Sequence, residues 1–128
     1  MPLVRISMRK GRDAEQRRAI ADGVHRAMVA TIDVPVGDRF QVVTEHDDDA
    51  LIFDPAFPDT VRSDGFVMIQ ITMRRGRTPE KKRALYRAIA GNLAASPGVR
   101  RQDLFVSLVE NEPVDWSFGD GVAQYSPG

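Results

Sequence analysis

The stretch VRISMRKGRDAEQRRAIADGVHRAMVA (4–30) decides the fold, because it recurs as IQITMRRGRTPEKKRALYRAIAGNLAA (69–95). The two copies align without a gap at an offset of 65 positions, and the alignment extends through residues 31–46 and 96–111. Identical pairs across this offset include Met8/Met73, Arg9/Arg74, Gly11/Gly76, Arg12/Arg77, Asp38/Asp103, Phe40/Phe105 and Glu45/Glu110. A single register over so long a stretch indicates two copies of one supersecondary unit.

Each copy is predicted to be a β-α-β unit. Residues 3–8 and 66–73 are short, apolar and rich in β-branched side chains, which is typical of strands. Residues 40–44 and 104–109 are expected to form the closing strands. A strand, a crossover helix and a second strand imply parallel pairing and a right-handed connection within each copy.

Both predicted helices have recognisable starts. Asp13 and Gln16 resemble a capping box, and Thr78 provides an N-cap that is followed by Pro79 and Glu80. Each helix also has one apolar face with i, i+4 spacing. The residues of these faces are Ile20, Val24 and Met28 in the first helix and Leu85, Ile89 and Leu93 in the second.

The chain is therefore predicted to be a single α+β domain, residues 1–128. The two copies, 2–46 and 66–111, are separated by an acidic insert, 47–65, and followed by an aromatic tail, 112–128. Two helices on one face of a roughly four-stranded sheet leave the other face uncovered, which predicts a small symmetric oligomer. The aromatic tail is also expected to pack, on its own chain or on another subunit.

The composition argues against several classes of protein. The 128 residues contain 18 Lys and Arg and 18 Asp and Glu, and this balance argues against a general nucleic-acid binder. Cysteine is absent and only His25 and His46 are present, so no metal site or cofactor is expected. We expect His25 at the surface or an interface and His46 at the end of a strand. No membrane partner is expected, since no apolar run approaches the ~18 residues of a membrane span, and without a signal-peptide core the protein is expected to be cytoplasmic.

Pro2 is the first candidate catalytic residue. Removal of Met1 would leave a secondary amine at the start of the first strand. An α-amino group titrates near ~8, and nearby cations or poor solvation lower its pKa. Such an amine can act as a general base, a general acid or an imine-forming nucleophile. The alternative is that a proline at this position is inert.

A basic turn, residues 74–77, is the second candidate and contains Arg74, Arg75 and Arg77. A strand end that leads into a helix N-terminus favours anions, and arginine adds bidentate recognition of carboxylates. The turn therefore predicts a site for a small carboxylate. The alternative is a solvated edge that pairs with the acidic insert. Lys10 and Arg12, at the equivalent places in the first copy, could be an echo without function.

Asp38 is the third candidate. A carboxylate at the start of a strand can orient water or accept a proton. Its equivalent in the second copy, Asp103, supports the alternative of a turn residue that is used twice for structural reasons. The sequence leaves both interpretations open.

Taken together, the duplicated β-α-β unit, Pro2, GDRFQ (37–41), RGR (75–77) and DWSFG (115–119) resemble the tautomerase superfamily. Within it they resemble the malonate semialdehyde decarboxylase-like group, over nearly the whole chain. The resemblance implies a β-α-β fold, a homotrimer and a cofactor-independent active site around an amino-terminal proline.

The resemblance also implies residue roles. Pro2 would be the catalytic amine, and Asp38 would match the acidic residue of the site. Arg75 and Arg77 would hold the substrate carboxylate and polarise its carbonyl. Arg74 is an additional arginine, so it could bind substrate in place of Arg75. The aromatic residues expected to line the pocket are Trp116 and Phe118.

The favoured function is that of an enzyme acting on a small oxo acid, by decarboxylation of malonate semialdehyde or a relative, with keto–enol tautomerisation as a further activity. A neutral Pro2 would move a proton α to a carbonyl, whereas a cationic Pro2 would protonate the carbonyl of a 3-oxo acid as CO₂ leaves. The alternative is a non-enzymatic oligomeric protein that binds small carboxylates, or less readily nucleic acid, through the Arg74–Arg77 turn.

Overall fold

The strands pair in the order that two β-α-β units require. A computed structural model of the chain describes residues 2–128. Met1, whose removal is expected, is outside the described residues. The elements are β1 (Leu3–Arg9), α1 (Ala14–Thr31), β2 (Gln41–His46), β3 (Val67–Arg74), α2 (Pro79–Ala95) and β4 (Leu104–Asn111). The sheet order is β2-β1-β3-β4, with β1 parallel to β2, β3 parallel to β4, and β1 antiparallel to β3. The predicted parallel pairing within each copy is confirmed.

Both helices cover the same face of the sheet, and the core lies between the two layers. The alternating side chains of β1 and β3 that point to this face are fully buried. They meet the apolar faces predicted for the helices. The core residues from these four elements include Val4, Ile6, Met8, Ile69, Ile71, Met73, Ile20, Val24, Met28, Leu85, Ile89 and Leu93.

The duplication is visible in equivalent hydrogen bonds. The backbone N–H of Lys10 donates to the carbonyl of His46 at 2.9 Å, and that of Arg75 donates to the carbonyl of Asn111, also at 2.9 Å. These pairs are related by the offset of 65 positions. The equivalent ion pairs are Arg17–Glu45 at 3.2 Å and Lys82–Glu110 at 2.9 Å. The two halves are therefore copies in three dimensions as well as in sequence.

The predicted helix starts are confirmed. Asp13 Oδ1 accepts from the N–H of Gln16 at 2.8 Å, and Gln16 Oε1 accepts from the N–H of Asp13 at 2.9 Å, which is a complete capping box. Thr78 Oγ1 accepts from the N–H of Lys81 at 3.3 Å, with Pro79 in the first turn of α2. Within residues 2–128, no helix is long and apolar enough to cross a membrane.

The other face of the sheet, called the open face below, carries no helix. Its side chains include Leu3, Val42, Phe105 and Val109, which are 37–43% exposed in the isolated chain. Small polar residues lie between them, and Thr44 on β2 donates to Ser7 Oγ on β1 at 3.3 Å. The open face is therefore partly apolar and is available to another copy of the chain.

Candidate active site

The fold brings the predicted site residues to one end of the sheet. Because β1 and β3 are antiparallel, the start of β1 lies beside the end of β3, and Leu3 pairs with Thr72. Pro2, which is buried, therefore reaches the level of Met73, just before the basic turn. On the other side of β1, the N–H of Val4 donates to the carbonyl of Phe40 at 3.0 Å.

Asp38 lies in this second neighbourhood and is 8% exposed. Its backbone N–H donates to the carbonyl of Pro35 at 3.0 Å, and the N–H of Asp103 donates to the carbonyl of Arg100 at the same distance. The same turn therefore precedes both edge strands, which supports the structural interpretation of the pair. The Asp103 carboxylate also accepts from the N–H and the hydroxyl of Ser63, both at 2.7 Å.

The arginines of the basic turn differ in their exposure and in their hydrogen-bond partners. Arg75 is 70% exposed and pairs with Glu112 at 2.8 Å. Arg77 donates through Nη2 to the carbonyl of Ile32 at 3.1 Å and through Nη1 to that of Arg74, also at 3.1 Å. Its guanidinium thus anchors the turn to the end of α1.

Arg74 is the arginine of the basic turn that has a buried donor without a partner in the described part of the chain. Its Nε is buried and has no hydrogen-bond partner within residues 2–128. Its Cζ lies 4.3 Å from the centre of the Tyr125 ring, which is a cation–π contact. The guanidinium therefore contacts the tail through Tyr125 and keeps a buried donor that a ligand could use.

The acidic insert does not neutralise the basic turn. Its carboxylates pair instead with the end of β1, through Arg9–Asp64 and Lys10–Asp47, both at 2.9 Å. The alternative that the basic turn is salt-bridged to the insert is therefore wrong, because the two segments lie at opposite ends of the sheet.

A surface cavity of about 290 Å³ lies at the basic turn. Its lining residues are Asp33, Arg74, Arg75, Gly76, Arg77 and Lys81. Lys81 holds Asp33 at 2.5 Å, and this hydrogen bond lowers the pKa of Asp33. Four cationic side chains and the N-terminus of α2 against a single carboxylate make this a cavity for a small anion.

The tail packs on its own chain beside this cavity. Trp116 Nε1 donates to Asn111 Oδ1 at 2.7 Å, which ties the tail to the end of β4. The Trp116 and Phe118 rings stack at 5.7 Å, and Phe118 lies 6.1 Å from Phe40 and 5.2 Å from Tyr125. The tail thus forms an aromatic wall beside the start of β2 and the ends of β3 and β4. Tyr125 was not among the predicted site residues, although the aromatic content of the tail was a signal for it.

The expectation for His25 is wrong, and that for His46 is confirmed. His25 is 6% exposed, and its Nε2 lies 2.7 Å from the carbonyl of Val36, in the connection that carries Asp38. It is buried because that connection folds back over α1. His46 ends β2 and its Nε2 lies 2.9 Å from Thr44 Oγ1. In the part of the chain that the structure describes, no group of three or more potential metal ligands is found.

Comparisons with known proteins agree with this architecture. A family model of tautomerase enzymes matches residues 38–119, and a second tautomerase model matches residues 2–58. The probable tautomerase YusQ of Bacillus subtilis (strain 168) is 38% identical over 124 residues, which span 97% of this chain and 98% of that protein.

Two solved structures are also similar. One is an FG41 malonate semialdehyde decarboxylase inhibited by 3-bromopropiolate, with 45% identity, a TM-score of 0.90, and coverage of 96% of this chain and 93% of that chain. The other is a malonate semialdehyde decarboxylase described as having decarboxylase and hydratase activities, with 32% identity, a TM-score of 0.91, and coverage of 96% and 95%. The chain therefore belongs to the tautomerase superfamily, is an enzyme of that superfamily, and is similar within it to the malonate semialdehyde decarboxylase-like group.

Proposed function

We propose that the protein decarboxylates a small 3-oxo acid of the malonate semialdehyde type, with Pro2 as its acid–base group, and retains keto–enol tautomerase activity. The observation that carries the proposal is the convergence of the buried Pro2, the buried Asp38 and the basic turn at one end of the sheet. The similarity to two malonate semialdehyde decarboxylases supports the substrate class.

The chemistry begins with removal of Met1, which makes the Pro2 nitrogen a secondary amine. In its cationic form this amine donates a proton to the aldehyde oxygen of the substrate. The bond between the α-carbon and the carboxylate carbon breaks, CO₂ leaves, and the electron pair forms the enol of the product aldehyde. A proton from water is added to carbon and the enol O–H proton returns to Pro2, which gives the aldehyde and restores the cationic amine. In the neutral form the same amine moves a proton between carbon and oxygen.

The surrounding residues have separate roles in this proposal. Guanidinium groups of the basic turn hold the substrate carboxylate, and Asp38 stabilises the cationic form of Pro2 across the strand pair. Trp116 and Phe118 exclude water from the reacting end of the substrate, which strengthens the electrostatic contacts there. Arg77 fixes the turn through its bonds to the carbonyls of Ile32 and Arg74.

We also propose that the working form is a homotrimer in which the open face is buried between copies. The support is the exposure of Leu3, Val42, Phe105 and Val109 on a sheet face that no helix covers. The resemblance to the tautomerase superfamily implies the number of copies.

The test is turnover of malonate semialdehyde and of an enol-pyruvate by protein whose intact mass shows that Met1 is absent. Pro2→Ala is expected to lose about 10²-fold or more in kcat for decarboxylation, the usual contribution of a general acid. Pro55→Ala, at an exposed proline of the insert, is the matched control and should keep the wild-type rate. Equal rates for Pro2→Ala and the wild type would exclude the proline mechanism.

The pH profile separates the two chemistries. Decarboxylation uses the cationic amine, so its rate should fall as the pH rises through the pKa of the Pro2 nitrogen. Tautomerisation uses the neutral amine and should rise over the same range. If both rates changed with pH in the same direction, the two reactions would not use different protonation states of Pro2.

A further inference from the structure

The opposite end of the sheet carries a second arginine–aromatic cluster. Arg9, at the end of β1, is the repeat equivalent of Arg74, at the end of β3. Its Cζ lies 4.6 Å from the centre of the Phe53 ring, as that of Arg74 lies 4.3 Å from the Tyr125 ring. Each end of the sheet therefore has a guanidinium group packed against an aromatic ring from a segment outside the repeat.

The aromatic residues continue the correspondence. Phe53 stacks on Phe66 at 4.3 Å, and Phe66 lies 6.2 Å from Phe105. Phe105 is the repeat equivalent of Phe40, which ends the aromatic series of the tail. The insert thus forms at this end of the sheet the aromatic wall that the tail forms at the other.

The two guanidinium groups differ in their partners. Arg9 donates through Nη1 to Asp64 Oδ1 at 2.9 Å, and through Nε and Nη2 to the carbonyl of Leu51 at 3.2 and 3.0 Å. Nη2 also donates to the carbonyl of Asp48 at 3.2 Å. Arg74 has an unpartnered Nε within residues 2–128. At the end of the sheet that carries Arg9, the guanidinium group is therefore already bound by a carboxylate of the chain itself, that of Asp64.

A cavity of about 430 Å³ opens beside this ion pair. Its lining residues are Arg9, Phe53, Pro55, Arg62, Ser63 and Asp64. Arg62 adds a second cation, whose Nε is buried without a partner in the described part of the chain. The Asp64 side chain is 92% exposed and can leave Arg9 for water without breaking buried structure. The cavity combines two guanidinium groups with an aromatic ring and a proline ring.

From this geometry we propose that the cavity is a second binding site, for a small organic carboxylate with an apolar body, and that Asp64 is an internal competitor for it. The ligand carboxylate takes the place of Asp64 on Arg9, and its apolar body lies on Phe53 and Pro55. Because Asp64 already occupies Arg9, it holds the affinity for such a ligand low in the wild type.

The test uses benzoate as the probe and its neutral isostere benzamide as the control ligand, with backbone amide NMR on labelled protein. Asp64→Asn should bind benzoate at least tenfold more tightly than the wild type does, with shifts at Phe53, Ser63 and Gly65. Benzamide should show no such gain. Asp48→Asn is the matched control, because it removes a negative charge 3.9 Å from Arg9 Nε and leaves Asp64 in place. Its affinity should change less than threefold.

Adding Arg9→Gln to Asp64→Asn should abolish the gained binding. Three results would each overturn the proposal: no benzoate shifts at the insert of Asp64→Asn, an equal gain in Asp48→Asn, or binding that survives Arg9→Gln. Chemical-shift changes at Gly76 report binding at the basic turn, at the other end of the sheet. The second site and the proposed active site are therefore tested by different signals.

Discussion

Donor capacity separates the arginines of the basic turn at the scale of single residues. Arg74 has a buried, unpartnered Nε, whereas Arg75 is 70% exposed and already pairs with Glu112. We expect Arg74→Gln to lower kcat/KM by about 10–100-fold, since a hydrogen bond to a charged group such as the substrate carboxylate contributes about 1.5–3 kcal/mol. Arg75→Gln should lower it by less than about tenfold, because contacts made by a guanidinium that is exposed to solvent are weak, about 0–1 kcal/mol.

Steady-state kinetics on the two variants decides between the arginines. The resemblance to the decarboxylase-like group favours Arg75, and the geometry favours Arg74. A larger loss in Arg75→Gln than in Arg74→Gln would assign the substrate contact to Arg75. Circular dichroism of both variants provides the control for folding.

Asp22 provides a residue-scale prediction on pH. The hydrogen bond from Arg39 Nη2, at 2.6 Å, lowers the pKa of Asp22 below its ordinary 3.8, with Arg18 as a weaker contributor. The stability from this depressed pKa is present above pH 3.8 and is lost as the pH falls through the lowered value.

Arg39→Gln should therefore reduce the free energy of unfolding near pH 7 by less than about 1 kcal/mol, since the Asp22 side chain is 37% exposed and screened by solvent. Urea denaturation at several pH values should show this difference closing in acid. Arg18→Gln, whose side chain is 74% exposed, should have a smaller effect. A difference that grows in acid would contradict the assignment.

At the scale of elements, helix packing reverses the usual effect of one glycine substitution. A Cβ added at Gly23 in α1 would lie 2.7 Å from Leu93 Cδ1 in α2. Gly23→Ala should therefore destabilise the protein by about 1–3 kcal/mol through overpacking. Gly91 in α2 has no atom within 4 Å of such a Cβ, so Gly91→Ala should stabilise the protein by about 0.5–1 kcal/mol.

Thermal and urea unfolding of the two variants measure this contrast. Opposite signs are expected for the same chemical change in the helices of the two copies. Stabilisation by Gly23→Ala would show that Leu93 moves aside at little cost and that the contact between the helices is loose.

The elements show which parts of the fold can be predicted from sequence. The caps at Asp13 and Thr78 depend on side chains within one turn of the chain, so their pattern is local and correct. The bounds of the strands agree within two residues for the same reason. Burial of His25 was missed because it depends on the connection that brings Val36 over α1, and that connection has no periodicity.

The candidate site divides in the same way. The repeat predicts that Pro2 and the basic turn belong to β-α-β units, and antiparallel pairing of β1 with β3 then brings them together. Which arginine keeps a buried donor without a partner depends on tertiary structure: Arg75 extends to Glu112 at the surface, and Arg77 bonds to the carbonyl of Ile32. No spacing in the sequence encodes those partners.

For the whole molecule, the zero net charge results from separation rather than from mixing. Residues 74–87 contain seven Lys and Arg and one Glu, and residues 45–64 contain seven Asp and Glu and one Arg. The fold places these segments at opposite ends of the sheet, and the insert is partly neutralised by Arg9 and Lys10. One end therefore attracts a small anion while the molecule as a whole does not attract polyanions.

The open face gives the last prediction. We expect the wild type to sediment as a trimer, and Val42→Asp, on the open face, to shift it towards monomer. Burial of a Val side chain contributes about 1.5–3 kcal/mol, which the variant loses. A buried unpaired carboxylate adds a larger cost in each copy. Val36→Asp is the control: its side chain is 75% exposed and lies outside the sheet, against 43% for Val42. Analytical ultracentrifugation measures both. If Val42→Asp kept the wild-type mass, the open face would not be the interface, and the apolar side chains of β2 and β4 would then require another partner.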